Sequence, residues 1–260
     1  MNGMFDLARR ARLRALLHRH LSNATDVWRA YRAEARVPPL RFRNGLTLHH
    51  GPGDAPVFLF FEVFANGCYR RPIAPPTRGT VVDIGANIGA FTLDCAARFP
   101  EVAIEAYEPN PDAYRVLEQN VRANRLEHRV RTYLEAVGRA PGVLKLWGTA
   151  GTISATAHPD AAEAAATPAE CPMVDLATVF GRTDRRVELV KIDVEGAEAD
   201  ILEGGRAVLR GAEQFVGEYH EARVPGVLDR CRKVLEASGF TFASACTARC
   251  GPLFHARRAG

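Results

Sequence analysis

The sequence predicts an α/β fold in which a doubly wound, mostly parallel sheet follows an extension of helix and short strands. From Thr80 onward, short apolar runs alternate with helix-length segments, which is typical of a parallel sheet covered on both faces. The first run ends in a turn with glycines. A chain of 260 residues, 47% of them hydrophobic, suffices for one sizeable core. We therefore expect one main domain, residues 76–260, after an accessory segment, residues 1–75.

The elements of the main domain follow from apolar runs and their flanking turn residues. The expected strands are Thr80 to Ile84, Val102 to Tyr107, Val130 to Tyr133, Glu188 to Ile192, Phe215 to Tyr219, Phe240 to Ala243 and Leu253 to Ala256. The expected helices are Ile88 to Arg98, Pro111 to Asn124, Ala197 to Arg210 and Val227 to Ser238. The long segment Thr149 to Glu170 has no strand period and is expected to be a mobile lid or a disordered insertion.

The N-terminal extension begins with a basic amphipathic segment. Apolar residues and arginines interleave from Met4 to Leu21 at helical spacing, which predicts a helix packed on the domain or on a second subunit. A helix bound to a membrane surface or an anionic partner is the alternative. Val37 to Pro39 ends the helical pattern. Between Leu40 and Tyr69, apolar runs such as Val57 to Phe61 lie between turn signals and predict short strands or a hairpin.

Composition argues against several classes of protein. A net charge of +4, in a chain with 25% charged residues, is too small an excess to indicate nucleic-acid binding. No segment approaches the roughly 18 consecutive apolar residues of a membrane span. The six cysteines are scattered, with no secretory signal before them, so we expect reduced thiols in a cytoplasmic protein. A zinc site at Cys246, Cys250 and His255 is not favoured, because it lacks a second pair of ligands.

The strongest local signal is the segment Val81 to Gly89, in which an apolar strand ends in Asp83 and continues through a turn with glycines. Glycine allows a sharp turn and close approach of the backbone to a ligand. Glu108 ends the second strand about 20 residues beyond the turn, where a carboxylate can accept hydrogen bonds from both ribose hydroxyls of a nucleoside. The two features together predict a cofactor that contains adenosine.

The residues of the turn also distinguish between adenosine cofactors. Nucleoside triphosphate hydrolysis would need Gly-Lys-Ser or Gly-Lys-Thr after the turn, and neither is present. A dinucleotide-binding turn would have glycine where Asn87 stands. The negative charge of Asp83 would repel pyrophosphate but suits the ammonium and sulfonium of S-adenosylmethionine, which is the expected cofactor. An NAD(P)-binding Rossmann oxidoreductase stays open as an alternative, because Gly85, Gly89 and Ala90 come near the dinucleotide fingerprint.

Three blocks of the sequence together resemble the FkbM family of methyltransferases, over about Thr80 to His220. The blocks are Val82 to Gly89 with Phe91 to Leu93, Ala106 to Pro111 with Tyr114, Leu117, Asn120 and Val121, and Val190 to Glu198. The resemblance implies a class I methyltransferase fold and transfer of a methyl group to a hydroxyl oxygen, commonly of a sugar or a natural product. By similarity, the cofactor-binding positions are Asp83, Gly85, Asn87, Gly89, Glu108 and Asn110, and Ala86 and Ala136 complete the expected cofactor site.

The candidates for the acceptor side lie where two later strands end. Asp193 and Glu195 follow one strand, and Glu218 and His220 end the next, at the edge where ligands bind in open α/β sheets. A hydroxyl acceptor needs a base to take its proton, and imidazole titrates near neutral pH. We expect His220 to be the general base, with Asp193 or Glu195 orienting it or the acceptor. The alternative is a divalent cation held by Asp193, Glu195 and Glu218, although no metal ligand is assigned.

The expected partner is a small hydroxylated molecule, which residues around Glu62 to Tyr69 and the segment Thr149 to Glu170 would select. A nucleic-acid methyltransferase is a weaker alternative, since the Asn-Pro-Pro-Tyr or Asp-Pro-Pro-Tyr motif used for base amines is missing. A module that keeps the fold and has lost the chemistry is disfavoured by the intact Asp83 and Glu108. We expect no nucleic-acid partner and no membrane span, and a homo-oligomer stays open.

Overall fold

The computed structural model describes residues 2–147, 168–247 and 250–259. The helices are α1 (Asn2–His20), α2 (Ala24–Arg32), α3 (Pro56–Leu59), α4 (Ala90–Arg98), α5 (Pro111–Ala123), α6 (Leu176–Gly181), α7 (Glu198–Gly204) and α8 (Val227–Ala237). The strands are β1 (Leu40–Arg41), β2 (Thr47–Leu48), β3 (Thr80–Ile84), β4 (Ala103–Tyr107), β5 (Val130–Tyr133), β6 (Ala136–Val137), β7 (Gly142–Leu146), β8 (Ala169–Val174), β9 (Val187–Ile192), β10 (Gln214–Glu218), β11 (Phe240–Thr247) and β12 (Gly251–Arg258).

A seven-stranded sheet forms the centre of the fold, in the order β11-β12-β10-β9-β3-β4-β5. The strands from β10 to β5 pair in parallel, and β12 pairs antiparallel with both β10 and β11. Every residue of β3 is buried, as expected of a strand covered on both faces. The strand order reverses beside β3, and open sheets bind ligands at the carboxyl ends of the strands at such a reversal. The predicted doubly wound, mostly parallel sheet is confirmed.

The predicted strands of the main domain are all present, and those up to β10 agree with prediction to within one residue at each end. Strands β11 and β12 are longer than predicted because they pair with each other along their whole length. The predicted helix Ala197 to Arg210 is instead divided: α7 ends at Gly204, and a 3₁₀ turn follows at Leu209–Gly211. The division follows from the adjacent glycines Gly204 and Gly205, since glycine is a poor helix former.

A second sheet of three strands, in the order β6-β8-β7, was not expected from the sequence. Strand β8 pairs in parallel with β6 and antiparallel with β7. It includes Ala169 and Glu170, so the prediction of a lid or insertion is wrong for the end of Thr149 to Glu170. The rest of that segment, up to residue 167, lies outside the described residues. Two-residue strands such as β6 are too short to show an apolar alternation.

The N-terminal helix packs on the main domain. Leu17 and Leu21 are fully buried in one core cluster with residues of the central sheet, whereas Arg12, Arg14 and Arg19 are exposed. This contact supports the packed helix over the membrane-surface alternative. None of the helices that the structure describes is both long enough and apolar enough to span a bilayer.

The predicted strand at Val57 to Phe61 is wrong, because this run is helical. Helix α3 begins at Pro56 and continues into a π-helical turn, Phe60–Ala65. Val57, Phe60 and Phe64 are buried at a spacing of three to four residues, which places them on one helical face. A run this short does not reveal by periodicity alone whether it forms a strand or a helix.

Three side-chain amides hold the N-terminal segment on the main domain, and we call them the amide clamps. Each amide accepts a hydrogen bond from a backbone N–H and donates one to the carbonyl of the same residue, at distances of 2.6 to 3.0 Å. The pairs are Asn124 with Thr47, Asn120 with His49, and Gln214 with Ala74. Asn120 also donates to the carbonyl of Ile88, at 2.7 Å, so one clamp reaches the turn after β3.

Cys68 and Cys250 form a disulfide, with their Cα atoms 5.2 Å apart. The bond joins the residue before Tyr69 to the residue before β12. The prediction of reduced thiols is therefore wrong for this pair, whose members are 182 residues apart in sequence and become neighbours only through the fold. Cys250 consequently has no thiolate to offer a zinc ion. The free thiols are Cys95, Cys171, Cys231 and Cys246, of which Cys246 is exposed.

Candidate active site

The turn after β3 lies against the carboxyl end of β9. Gly85 has a φ of +75°, and a Cβ at this position would lie 1.8 Å from the carbonyl oxygen of Asp193. Asn87 also adopts a positive φ, of 50°, in the small left-handed region that asparagine tolerates better than most residues. Glycine at position 85 is thus required by the close approach of two backbone segments.

The carboxylate of Glu108 fastens this turn to the end of β4. Its Oε2 accepts a hydrogen bond from the backbone N–H of Asn87 at 2.7 Å, and its Oε1 accepts one from that of Asn110 at 2.8 Å. Burial raises the pKa of Glu108 to about 7, while the two backbone hydrogen bonds act in the opposite direction. A carboxylate has about four lone-pair sites, so Glu108 retains acceptor capacity for a ligand.

Asp83 lies beneath the turn and is fully buried. Its Oδ2 accepts a hydrogen bond from the Thr92 hydroxyl at 2.6 Å, and its Oδ1 is 3.2 Å from Nζ of Lys191. Lys191 also donates to the carbonyl of Gly85 at 2.7 Å and lies 3.6 Å from Asp193. Burial alone would lower the pKa of Lys191, but the charges of Asp83 and Asp193 outweigh it and raise that pKa. The charge of Asp83 is therefore balanced inside the protein, a different arrangement from the expected acidic loop facing the cofactor.

A cavity of about 410 Å³ opens beside the turn, a volume within the range of small-molecule sites. Among the predicted site residues, those that line it are Gly85, Asn87, Glu108, Ala136, Asp193 and Glu195. Those that do not line it are Asp83, Ala86, Gly89, Asn110, Glu218 and His220. Of the eight predicted cofactor positions, four therefore line the cavity and four do not.

The lining combines an apolar wall with several charged side chains. The apolar side chains include Tyr107, Val137, Leu144, Leu146 and Met173. The charged ones are five carboxylates, Glu108, Glu135, Asp193, Glu195 and Asp200, and one guanidinium, Arg139. The apolar wall suits a ligand with a ring. Four of the five carboxylates also face basic side chains, which partly balance their charge: Glu135 faces Arg182, Asp193 faces Lys191, Glu195 faces Arg223 and Asp200 faces Arg230. The Oδ1 of Asn87 is buried and accepts no hydrogen bond from any described residue, so a donor on the ligand can satisfy it.

The four predicted catalytic residues lie together at the ends of β9 and β10, and we call them the acceptor cluster. Ligand-type atoms of Asp193, Glu218 and His220 are all within 4.8 Å of one another. The Nε2 of His220 is 3.5 Å from a carboxylate oxygen of Glu195 and 4.0 Å from one of Asp193. Asp193 and Glu195 also line the cavity, so this cluster and the cavity share a wall.

The sequence indicated no catalytic role for three further residues near the acceptor cluster, Glu62, Tyr69 and Glu198. The Tyr69 hydroxyl donates to Asp193 at 2.9 Å, and Glu198 contacts Nδ1 of His220 at 2.7 Å. Burial, followed by the charge of Asp193, raises the pKa of Glu62 to about 7 and that of Glu218 to about 8. Glu62 and Tyr69 lie in the segment expected to select the acceptor, and Glu198 lies in the third block of the resemblance. Their contacts span 22 to 124 residues of sequence, which local pattern does not reveal.

Basic side chains already face the carboxylates that would bind a divalent cation in the alternative prediction. Nζ of Lys191 is 3.6 Å from Asp193, and Nε of Arg223 donates to Glu195 at 3.1 Å. Two of the three carboxylates proposed for the cation thus already face a basic side chain, and we assign no metal to the cluster.

Comparison with known proteins places the chain among methyltransferases. Residues 83–242 match the family described as Methyltransferase FkbM domain. The chain is 32% identical over 238 residues to the 31-O-demethyl-FK506 methyltransferase FkbM of Streptomyces tacrolimicus, which covers 79% of this chain and 89% of that protein. It is 28% identical over 151 residues to the hexuronic acid methyltransferase AglP of Haloferax volcanii, which covers 53% of this chain and 54% of that protein.

A crystal structure of a methyltransferase FkbM from Methylobacillus flagellatus KT shares the fold. It matches with a TM-score of 0.54 and 12% identity, over 96% of this chain and 60% of that chain. Identity this low shows the fold alone. The family match replaces the oxidoreductase alternative and confirms the predicted family: the chain belongs to the FkbM family of methyltransferases.

Proposed function

We propose that this methyltransferase transfers a methyl group from S-adenosylmethionine to a hydroxyl of a small sugar or natural-product acceptor. One observation carries the proposal: the cavity beside the turn and the acceptor cluster share Asp193 and Glu195. A cofactor in the cavity and a hydroxyl beside the cluster would therefore be neighbours. The names of the two relatives, an O-demethyl-FK506 methyltransferase and a hexuronic acid methyltransferase, support this class of acceptor.

The residues of the cavity fit S-adenosylmethionine. Glu108 has spare acceptor sites for the ribose hydroxyls, and Asn87 has an unsatisfied buried oxygen for a further donor. The apolar side chains of the lining, such as Leu144, Leu146 and Met173, offer a surface on which an adenine ring can pack. When bound, S-adenosylmethionine supplies an electrophilic methyl group, whose bond to sulfur breaks with its electron pair going to the sulfur.

The protein's own contribution is to hold and deprotonate the acceptor. In our proposal, Nε2 of His220 takes the proton of the acceptor hydroxyl while the oxygen forms its bond to the methyl carbon. A positioned base of this kind contributes on the order of 10²- to 10⁴-fold. The walls of the cavity and the neighbouring carboxylates fix the two reactants in line, which removes much of the entropic cost of a bimolecular step.

We propose that residues 1–75 act as the accessory segment and residues 76–260 as the catalytic domain. The accessory segment contributes Tyr69, whose hydroxyl donates a hydrogen bond to Asp193. It also contributes Glu62, whose pKa is raised by burial and by the charge of Asp193. Tyr69 is buried and neither side chain lines the cavity, so both act on the acceptor side through Asp193. This position supports a role for the segment in acceptor selection.

Calorimetry tests the proposal. Titration with S-adenosylmethionine should give a Kd on the order of micromolar, whereas NAD and NADP should not bind. Replacing Glu108 with alanine removes two charge-assisted hydrogen bonds to ribose and should weaken S-adenosylmethionine binding by about 100-fold. Glu118→Ala is the matched control, since Glu118 pairs with Arg122 on helix α5 and does not line the cavity. Preference for a dinucleotide, or equal binding by Glu108→Ala and the wild type, would overturn the proposal.

A further inference from the structure

Glu198 is a charged residue with no access to solvent. It is 0% exposed at the start of helix α7, and charged side chains are almost never fully buried unless they are paired. Its Oε1 accepts a hydrogen bond from the backbone N–H of Gly196 at 3.0 Å and lies 2.7 Å from Nδ1 of His220. The position of Glu198 is thus fixed by the backbone on one side and by the imidazole on the other.

This contact decides which nitrogen of His220 holds the proton. A carboxylate only accepts hydrogen bonds, so Nδ1 must be the donor, and in the neutral ring Nε2 is left as the acceptor. Nε2 faces the side of the cluster where Asp193 and Glu195 line the cavity, at 4.0 and 3.5 Å. The nitrogen that is free to accept a proton is therefore the one beside the proposed reactants.

We propose that Glu198 is the positioning residue of the reaction: it holds His220 in the Nδ1–H tautomer and aims Nε2 at the acceptor hydroxyl. This inference rests on the proposed function of His220 as the base. It changes the expectation from the sequence, in which Asp193 or Glu195 orients the imidazole. Those two carboxylates instead lie near Nε2 of His220, and both line the cavity.

The charges around His220 set the pH at which such a base works. Burial lowers the pKa of His220, but the hydrogen bond to Glu198 and the charges of the nearby carboxylates outweigh burial and raise it to about 9. The charged groups that face it are Glu198, Asp193, Glu195, Glu218 and Glu62, with Arg223 bound to Glu195. A base is active only when unprotonated, so the rate should rise about tenfold per pH unit below this pKa. A cationic ligand in the cavity would lower the pKa of His220, and the rise in rate would then occur at lower pH.

The test is nuclear magnetic resonance of the protein labelled with ¹⁵N in its histidine rings, which needs no acceptor. The chain has eight histidines, and the signal of His220 is the one lost in His220→Gln. In the wild type above the titration, the ring proton should be on Nδ1. In Glu198→Gln, the pKa of His220 should fall by about 1–3 units because the adjacent negative charge is gone. Glu203→Gln, on the same helix but paired with Arg230, should leave the pKa unchanged.

Activity supplies a second measurement. In Glu198→Gln, the acidic limb of the methyl-transfer rate should move to lower pH with the His220 pKa, and the maximal rate should fall at least about tenfold, because the ring is no longer held in one tautomer. A proton on Nε2 in the neutral wild-type ring, or an unchanged pKa in Glu198→Gln, would overturn the inference. The tautomer measurement is made on the wild type, so it does not depend on the folding of Glu198→Gln. Failure of the proposed function would appear separately, as absence of S-adenosylmethionine binding.

Discussion

The two halves of the site hold their carboxylates in different ways. In the cofactor half, formed by the turn after β3 and Glu108, the carboxylate is bound by two backbone amides. In the acceptor cluster, carboxylates face one another and the imidazole of His220. Burial raises the pKa of Glu108 and the amides oppose it, whereas at Glu218 the neighbouring carboxylates add to burial. In the cofactor half the backbone fixes the position of the carboxylate, and in the acceptor cluster the pKa of each group depends on the charges of neighbouring side chains.

The largest expected effect separates the two halves. His220→Ala should lower kcat on the order of 10³-fold, since the acceptor loses its base, and leave the Kd of S-adenosylmethionine unchanged. Single-turnover kinetics and calorimetry measure the two quantities. His128→Ala is the control, because His128 is exposed and contacts only a nearby backbone carbonyl among its described partners. An unchanged kcat in His220→Ala would show that the acceptor cluster does not supply the base.

A smaller effect is expected from the residue that joins the halves. Lys191 pairs with Asp83 below the cofactor turn and with Asp193 in the acceptor cluster. Lys191→Met leaves a buried carboxylate without its counter-charge and should lower the free energy of unfolding by about 3 kcal/mol, measured by urea denaturation. Adding Asp83→Asn to the same chain should restore part of that loss. If the single variant is as stable as the wild type, the buried pair does not hold the halves together.

The smallest effect concerns the contact between the accessory segment and the acceptor cluster. Tyr69→Phe removes the hydrogen bond to Asp193, worth about 1 kcal/mol, and should reduce kcat/KM about fivefold without changing cofactor affinity. Tyr31→Phe is the control, since Tyr31 is 44% exposed on α2. Equal kcat/KM values in the two variants would argue that Tyr69 serves packing alone.

The sequence predicted the central sheet well because its strands are short apolar runs separated by clear turn residues. Thr80 to Ile84 and Val130 to Tyr133 were predicted with their observed ends. The prediction failed at Val57 to Phe61, because a run of five apolar residues is consistent with both a strand and a helix. It also failed at the small sheet, since β6 has two residues and gains its pairing only from distant strands.

The sequence identified the residues of the acceptor cluster but not the groups that they contact. Asp193, Glu195, Glu218 and His220 were found from their position after strands, and the structure brings them together. The partner of His220 was not found, because Glu198 lies 22 residues away in sequence and reaches the ring only through the pairing of β9 with β10. Local sequence indicates on which strand or helix a side chain lies, and tertiary structure determines which groups it contacts.

The amide clamps bear on how members of such a family can be recombined. In a chimera joined between residues 75 and 76, the backbone groups that bind Asn120, Asn124 and Gln214 would come from a different parent protein. Asn120 and Gln214 are buried, and each unsatisfied buried group costs about 1–3 kcal/mol. Because the clamps bind only backbone groups of the segment, grafting the segment of a relative onto this chain requires that its backbone pass Asn120, Asn124 and Gln214 as residues 49, 47 and 74 do here.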